Sequence, residues 1–325
     1  KTTVLRATLD NETLINSGIM TLLPSTALLS RRLTHFVPRL NPTRNFTKSS
    51  TLTSCNGAHL KRNDAEMSKT SRRSMATVSA GFALQCLAKE NPHVDVIRYE
   101  HKNIKFTMAN VNYFADALAV GFLDSGLRPG DKVLSWLPLH FSEQHILQFA
   151  CSKAGMVLYH LDPAVAIKDK ELAKASLAKA LEITEANILV TETAGSDVNY
   201  VKIVESVIPE TRIFDFGEGK PFFTPRYPHL RFPVHTGFDY ESKAGMVPLN
   251  EMLCPTGDVS TLLAGAKLDG QTPLMGQLVL GCDGVPTETG DILNNEAVVE
   301  RNIWPEFTSI LNKEFLEVKG VGVVF

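Results

Sequence analysis

What this sequence lacks narrows it first. Nowhere in its 325 residues is there an uninterrupted apolar run of about eighteen, the length a bilayer-crossing helix needs, so no transmembrane segment is expected. The five cysteines (Cys55, Cys86, Cys151, Cys254 and Cys282) are scattered and form no CxxC pair. That spacing fits neither a disulfide framework nor a zinc site, and free thiols in a reducing compartment are the simplest reading. The nine histidines show no HxH or HxxxH pairing. His140, His145 and His160 lie close in sequence and are the only candidate ligands, but packed or capping histidines are the expected role. No GxSxG elbow frames a nucleophile, and no GxGxxG follows an early strand. A net charge of −2 points to no nucleic-acid partner.

That small net charge hides an asymmetry. Residues up to Arg73 carry 12 Lys+Arg against 4 Asp+Glu, while the remainder carries 21 against 31. The chain opens on Lys1 rather than a methionine, and residues 1–19 are read as untrimmed upstream translation or as part of an incomplete gene model. Between Met20 and Asn63 there is no acidic residue. The same stretch holds Arg31, Arg32, Arg39, Arg44, Lys48, Lys61 and Arg62 among serines, threonines and leucines. This is the composition of a mitochondrial transit peptide, a cationic segment on which the membrane potential can act. A plastid leader and a basic disordered tail are the competing readings. Residues 1–74 are therefore set apart as leader, 75–216 as an α/β domain, and 217–325 as a continuation of it.

From Ala76 the pattern alternates. Val96–Tyr99 and Ile104–Phe106 flank His101-Lys102-Asn103 as a hairpin. Thr107 is an N-cap for a helix whose Val111, Phe114, Ala115, Leu118 and Phe122 fall on one stripe, with Gly126 past its end. Lys132–Leu137 reads as a strand, Ser142 to Ala154 as a helix capped by Ser142 and closed by Gly155, and Met156–Leu161 as a strand. A helix over Lys168–Glu185, a strand at Asn187–Thr191, a helix over Asp197–Val207 and a strand at Arg212–Phe216 complete the series. Short apolar strands separated by helices imply βαβ crossovers and a mostly parallel sheet flanked by helices, the α/β class.

Several of these residues carry a resemblance. The helix to Phe122, then Gly126-Leu127-Arg128-Pro129-Gly130-Asp131-Lys132-Val133, Trp136-Leu137-Pro138, Lys153-Ala154-Gly155-Met156-Val157 and Leu161-Asp162-Pro163 occur in the order and spacing of the N-terminal part of AMP-forming acyl-CoA synthetases. The similarity runs from about Asn91 to Phe216. It implies an enzyme lineage that activates a carboxylate with ATP and passes it to coenzyme A.

The chemistry-bearing segments of that family have no evident counterpart. Adenylation uses a loop of the form S/T-S/T-G-T-S/T-G-x-P-K, whose backbone N–H groups and hydroxyls hold the ATP phosphates. The nearest strings are Thr256-Gly257-Asp258 and Gly284-Val285-Pro286-Thr287-Glu288-Thr289-Gly290-Asp291, the second with acids where the family has a lysine. Thr289-Gly290-Asp291 matches the family's ribose-binding segment in three letters only and reads as a surface turn. Glu288 with Asp291, and Asp162 with Asp169, read as solvated turn and helix-start charges. Lys313 and Lys319 read the same way.

No residue is therefore assigned a catalytic, cofactor-binding or metal-ligating role. ATP, Mg and coenzyme A are expected only if the family's remaining segments are supplied. Two functions are carried forward: a truncated or diverged synthetase-like protein, and a non-catalytic pseudoenzyme serving as an accessory subunit of a mitochondrial complex. A protein partner is expected because a sheet lacking the family's later strands exposes an edge.

Overall fold

The computed structural model describes residues 78–318 except 100–103, 194–197, 219, 238–244, 256–258, 264 and 313–315. The leader, the hairpin turn at His101, Thr256-Gly257-Asp258, Lys313, Lys319 and the apolar end Val321–Phe325 all lie outside the described residues.

Helix α1 (Ala80–Glu90) is capped by the Ser79 hydroxyl, which accepts from the Phe82 N–H at 3.3 Å. Strands β1 (Asp95–Tyr99) and β2 (Ile104–Thr107) pair antiparallel and form a small sheet with β10 (Leu316–Val318). Thr107 caps α2 (Met108–Asp124), its hydroxyl accepting from Asn110 N–H at 3.2 Å.

The larger sheet begins at β3 (Lys132–Trp136) and continues through α3 (Ser142–Ala154), β4 (Val157–His160) and a short α4 (Val165–Lys168). Next come α5 (Lys170–Thr184), β5 (Ile188–Thr191), α6 (Tyr200–Val207), β6 (Phe232–His235), β7 (Val247–Pro248) and α7 (Val259–Leu262). A hairpin of β8 (Pro273–Leu280) and β9 (Pro286–Asn294) leads into α8 (Asn295–Glu300) and α9 (Pro305–Leu311). The strand order is β7-β6-β5-β3-β4-β8-β9. Every neighbouring pair is parallel except β8 with β9.

Alternation along the central strands divides the interior. Val133, Leu137, Leu158, Ile188 and Val190 join one core with α1, α2, α3 and α9. Leu134, Trp136, Val157, Tyr159 and Leu189 join the other with α5 and α6. Burial on both faces explains why these strands read as continuous apolar runs.

Three expectations need correcting. Arg212–Phe216 is not a strand: 3₁₀ turns cover Pro209–Arg212 and Phe216–Glu218. Phe214 packs its ring on Phe216 and Phe222, with centroids at 4.7 and 5.1 Å, while Ile213 is exposed. Those side chains serve a local aromatic knot, and the strand beside β5 is β6, within Leu230–Gly237. Ser142 is the first helical residue and not a cap; its hydroxyl donates to Glu143 at 2.9 Å, and the cap position is Phe141. The long helix starts at Lys170, because Asp169 turns extended and takes the N–H groups of Glu171 and Leu172 at 2.9 and 3.1 Å.

Candidate functional site

In an open parallel sheet, ligand sites form outside the carboxyl ends of the strands, where the chain winds to opposite faces. Here the order reverses between β3 and β5: the chain leaves β3 through α3 on one face toward β4, and leaves β5 through α6 on the other toward β6. The crest of the sheet beside it, after β3 and β4, carries all three histidines singled out by sequence, and each is engaged separately. His160 Nε2 lies 2.8 Å from the Leu137 carbonyl. His145 Nδ1 lies 3.4 Å from Gln148 Oε1. The Tyr99 hydroxyl donates to the His140 carbonyl at 2.7 Å, fixing the loop rather than the ring.

Burial sets the protonation of the crest. It pushes His145 down to about 4, a weak hydrogen bond to Gln148 opposing and nearby His140 reinforcing the shift. His160 and His140 are lowered as well, again chiefly by desolvation. Tyr200, its ring edge-on to Trp136 at 5.1 Å, is pushed up to about 12 by burial and then by Glu192 and Asp162. Burial likewise raises the Cys151 thiol, which leaves it inert. These groups are neutral packing elements at neutral pH. General acid–base work requires instead a group poised near the operating pH.

The other sequence candidates are also dispersed. Asp162 accepts from the Ala164 N–H at 2.9 Å in a turn, and Asp169 caps α5. Glu288 and Asp291 are exposed along β9. Thr289-Gly290-Asp291 lies inside β9 instead of forming a turn, because Thr289 pairs with Leu278 in the ladder. Among the described residues, no group of three or more His, Cys, Asp and Glu is placed to hold a metal ion.

Two features needed the structure, the second only in part, since its Gly284-Val285-Pro286 falls in a string that sequence had singled out. The first is a cavity of about 200 Å³ lined by Ser79, Phe82, Asp116, Lys153, Leu263 and Leu268, among others. At its base the buried Lys153 ammonium donates to Asp116 at 2.7 Å and to Asn112 at 2.9 Å. An ion pair of this kind is already neutralised and organises α2 against α3. The second is the turn joining β8 to β9. Gly281 N–H donates to the Val285 carbonyl at 2.8 Å, and Gly284 N–H to the Gly281 carbonyl at 3.0 Å, with Gly284 at φ +80. Asp283 Oδ1 accepts the Val285 N–H at 3.1 Å. An anion-binding turn offers its N–H groups outward; in this one a side-chain carboxylate takes one of them. Its glycine spacing, Gly281 and then Gly284, was the available signal.

Comparison with known proteins bears on the lineage. Residues 84–218 match the family of AMP-binding enzymes. The matched segment is similar to the N-terminal part of AMP-forming acyl-CoA synthetases. The bovine (Bos taurus) mitochondrial medium-chain acyl-CoA ligase ACSF2 is 26% identical to it over 136 residues, covering 42% of this chain and 21% of the relative. The Bacillus subtilis (strain 168) protein YngI is 30% identical over 158 residues, 48% of this chain and 27% of that protein. The chain thus matches about a quarter or less of the length of these curated relatives.

Among solved structures, the luciferase-like enzyme of the Zophobas morio mealworm superposes with a TM-score of 0.54 at 13% identity, covering 75% of this chain and 54% of that one. Acetoacetyl-CoA synthetase from Streptomyces lividans does so with 0.54 at 15% identity, covering 74% and 38%. At those identities the superpositions establish the fold, α/β with a mostly parallel sheet flanked by helices. They extend well past the AMP-binding segment, consistent with β6, β8 and β9 joining the same sheet.

Proposed function

We propose that this chain is a diverged acyl-CoA synthetase-like protein that does not adenylate, and that the β8–β9 turn is its altered phosphate loop. The carrying observation is the Asp283 carboxylate on the Val285 N–H. Gly281-Cys282-Asp283-Gly284-Val285-Pro286-Thr287 keeps the glycine and proline spacing of the family's G-T-S/T-G-x-P-K. It places Cys282 and Asp283 where the family has hydroxyls, and Thr287 where it has lysine. Hydroxyls and a lysine would coordinate phosphate oxygens, whereas a fixed carboxylate repels them and occupies an N–H they would use. The turn survives because its own geometry, not a nucleotide, holds it.

The test is ATP–pyrophosphate exchange with medium-chain fatty acids, the class named for the ACSF2 relatives. No exchange above background is expected from the full chain, and measurable exchange would overturn the proposal. The double variant D283T/T287K should gain ATP binding by about tenfold or more, a recovery of roughly 1.4 kcal/mol from removing one repulsion and adding one attraction. If ATP binds equally in both forms, the turn is not the determinant. The competing reading is a ligase piece whose other segments are supplied elsewhere. It predicts exchange once those segments are restored, with Asp283 left in place.

The basic head and the mitochondrial ACSF2 relatives support a mitochondrial location. A fluorescent fusion to the C-terminus of the full chain should co-localise with mitochondria, and a version lacking residues 1–74 should not. In that setting the protein serves as a scaffold or accessory subunit.

A further inference from the structure

The hairpin beyond the AMP-binding segment has a composition unlike the rest of the body. Residues 268–300, which include all of β8, β9 and α8, carry six acids (Asp269, Asp283, Glu288, Asp291, Glu296 and Glu300) and no Lys or Arg. Among the described residues, β9 pairs only with β8 and is the terminal strand of the larger sheet. Half the backbone N–H and C=O groups of such a strand point outward, a template for another extended chain. Glu288 and Asp291 on β9 are exposed and without an ion-pair partner among the described residues. Large apolar side chains are also exposed on the same hairpin: Val279 at 40%, Leu280 at 58% and Ile292 at 51%.

We propose that β9 is a docking edge for an extended, Lys/Arg-bearing segment of another polypeptide, added as a further strand with an apolar residue set against Ile292. Backbone pairing supplies affinity in this mode, and side chains along the added strand supply selectivity. The charge pattern chooses among occupants. A second copy paired antiparallel about Thr289-Gly290 would set Glu288 directly against Asp291 of its mate, and like charges opposite one another destabilise a ladder. Acids on an edge strand therefore deter self-association, yet they attract a basic strand. Polyanions such as nucleic acid are disfavoured by the same charges.

The experiment uses the full chain and a fluorescein-labelled peptide of about ten residues alternating Lys and Val, with a Glu–Val peptide as control. Binding is read by anisotropy and its location by amide hydrogen exchange. The Lys–Val peptide should slow exchange within residues 286–294 by about fivefold, as expected when outward amides gain partners. The variant E288Q/D291N, isosteric and exposed, should bind about tenfold more weakly, roughly two lost charge pairs. Ile292→Ser should weaken binding further, a change that simple charge attraction would not produce. The proposal fails if exchange slows elsewhere or nowhere, if Glu–Val binds as well, or if E288Q/D291N binds unchanged. Protection, without peptide, of those amides of 286–294 that face away from β8 also overturns it: concentration-dependent protection would identify a second copy, and concentration-independent protection another segment of this chain.

Discussion

Asn295 joins three parts of the chain that are far apart in sequence. Its Oδ1 accepts from the Ala80 N–H at 3.1 Å and from the Ser152 hydroxyl at 2.6 Å, while its amide donates to the Thr272 carbonyl at 2.8 Å. Ser152 in turn accepts the Gly81 N–H at 2.7 Å. Two first-turn donors of α1 are thus satisfied by side chains from α3 and α8. Asn295→Ala takes the acceptor from the buried Ala80 N–H and Ser152 hydroxyl, while the Thr272 carbonyl keeps the backbone N–H of residue 295 at 3.0 Å; about 2–4 kcal/mol of stability should be lost, read as the shift in urea midpoint. A loss under about 0.5 kcal/mol would show that water replaces the side chain.

His145 makes the second residue-scale prediction. Its native pKa of about 4 lies below the ordinary histidine value of 6.5. Unfolded chains therefore take up a proton there as pH falls through about 6.5, while the folded protein does not until about 4. The stability it contributes is complete above that window and drains away within it, by about 3 kcal/mol. His140 and His160 act in the same direction. His145→Leu should flatten the decline in urea midpoint between pH 7 and 4; an unchanged slope would contradict the burial assigned to it.

At the scale of the element, α5 shows how a boundary is set. The run Lys168–Glu185 looks continuous by periodicity, but Asp169 at φ −146 interrupts it and caps the helix that begins at Lys170. Asp169→Ala should cost about 1 kcal/mol, the usual worth of such a cap, measured by thermal unfolding. Asp169→Asn should restore most of it, since the amide oxygen caps equally well. Helix α3 ends differently, on Gly155 at φ +72, where a side chain would strain the backbone and meet Leu268. Both signals are local, which is why they can be read from a few letters. Arg212–Phe216 had no such signal. Its apolar alternation suits a strand, and only contact with Phe222 turns those rings into a knot.

Taken whole, the molecule carries two tryptophans, one on each side of the sheet. Trp136 lies in the core with α5 and α6, and Trp304 in the core with α1, α2 and α3. Trp304 and Phe307 also bind the C-terminal helices to α3, Phe307 stacking on Phe149 at 4.3 Å. If the sheet unites both cores, W136F and W304F should unfold with coincident urea transitions followed through the remaining tryptophan. Separated midpoints would mean that the segment after β7 folds as its own unit. Phe307→Ala should cost about 3–5 kcal/mol, because the stacked pair is fully enclosed.

Local sequence by itself determined the Thr107 cap, the Gly155 terminus, the apolar strands of the central βαβ repeats and, through them, the α/β class and the resemblance to AMP-forming acyl-CoA synthetases. Those features depend on residues within one turn of each other or on periodicity inside one element. Tertiary structure alone decided which apolar segment lies beside β5, since strand pairing joins residues forty or more positions apart. It decided likewise that β8 returns to β4 across more than a hundred residues and that β9 is the terminal strand of that sheet among the described residues. The same long-range closure put Asp283 onto a turn amide and buried His145 away from water. Both outcomes depend on what surrounds the side chain, and that environment is assembled only when distant segments meet.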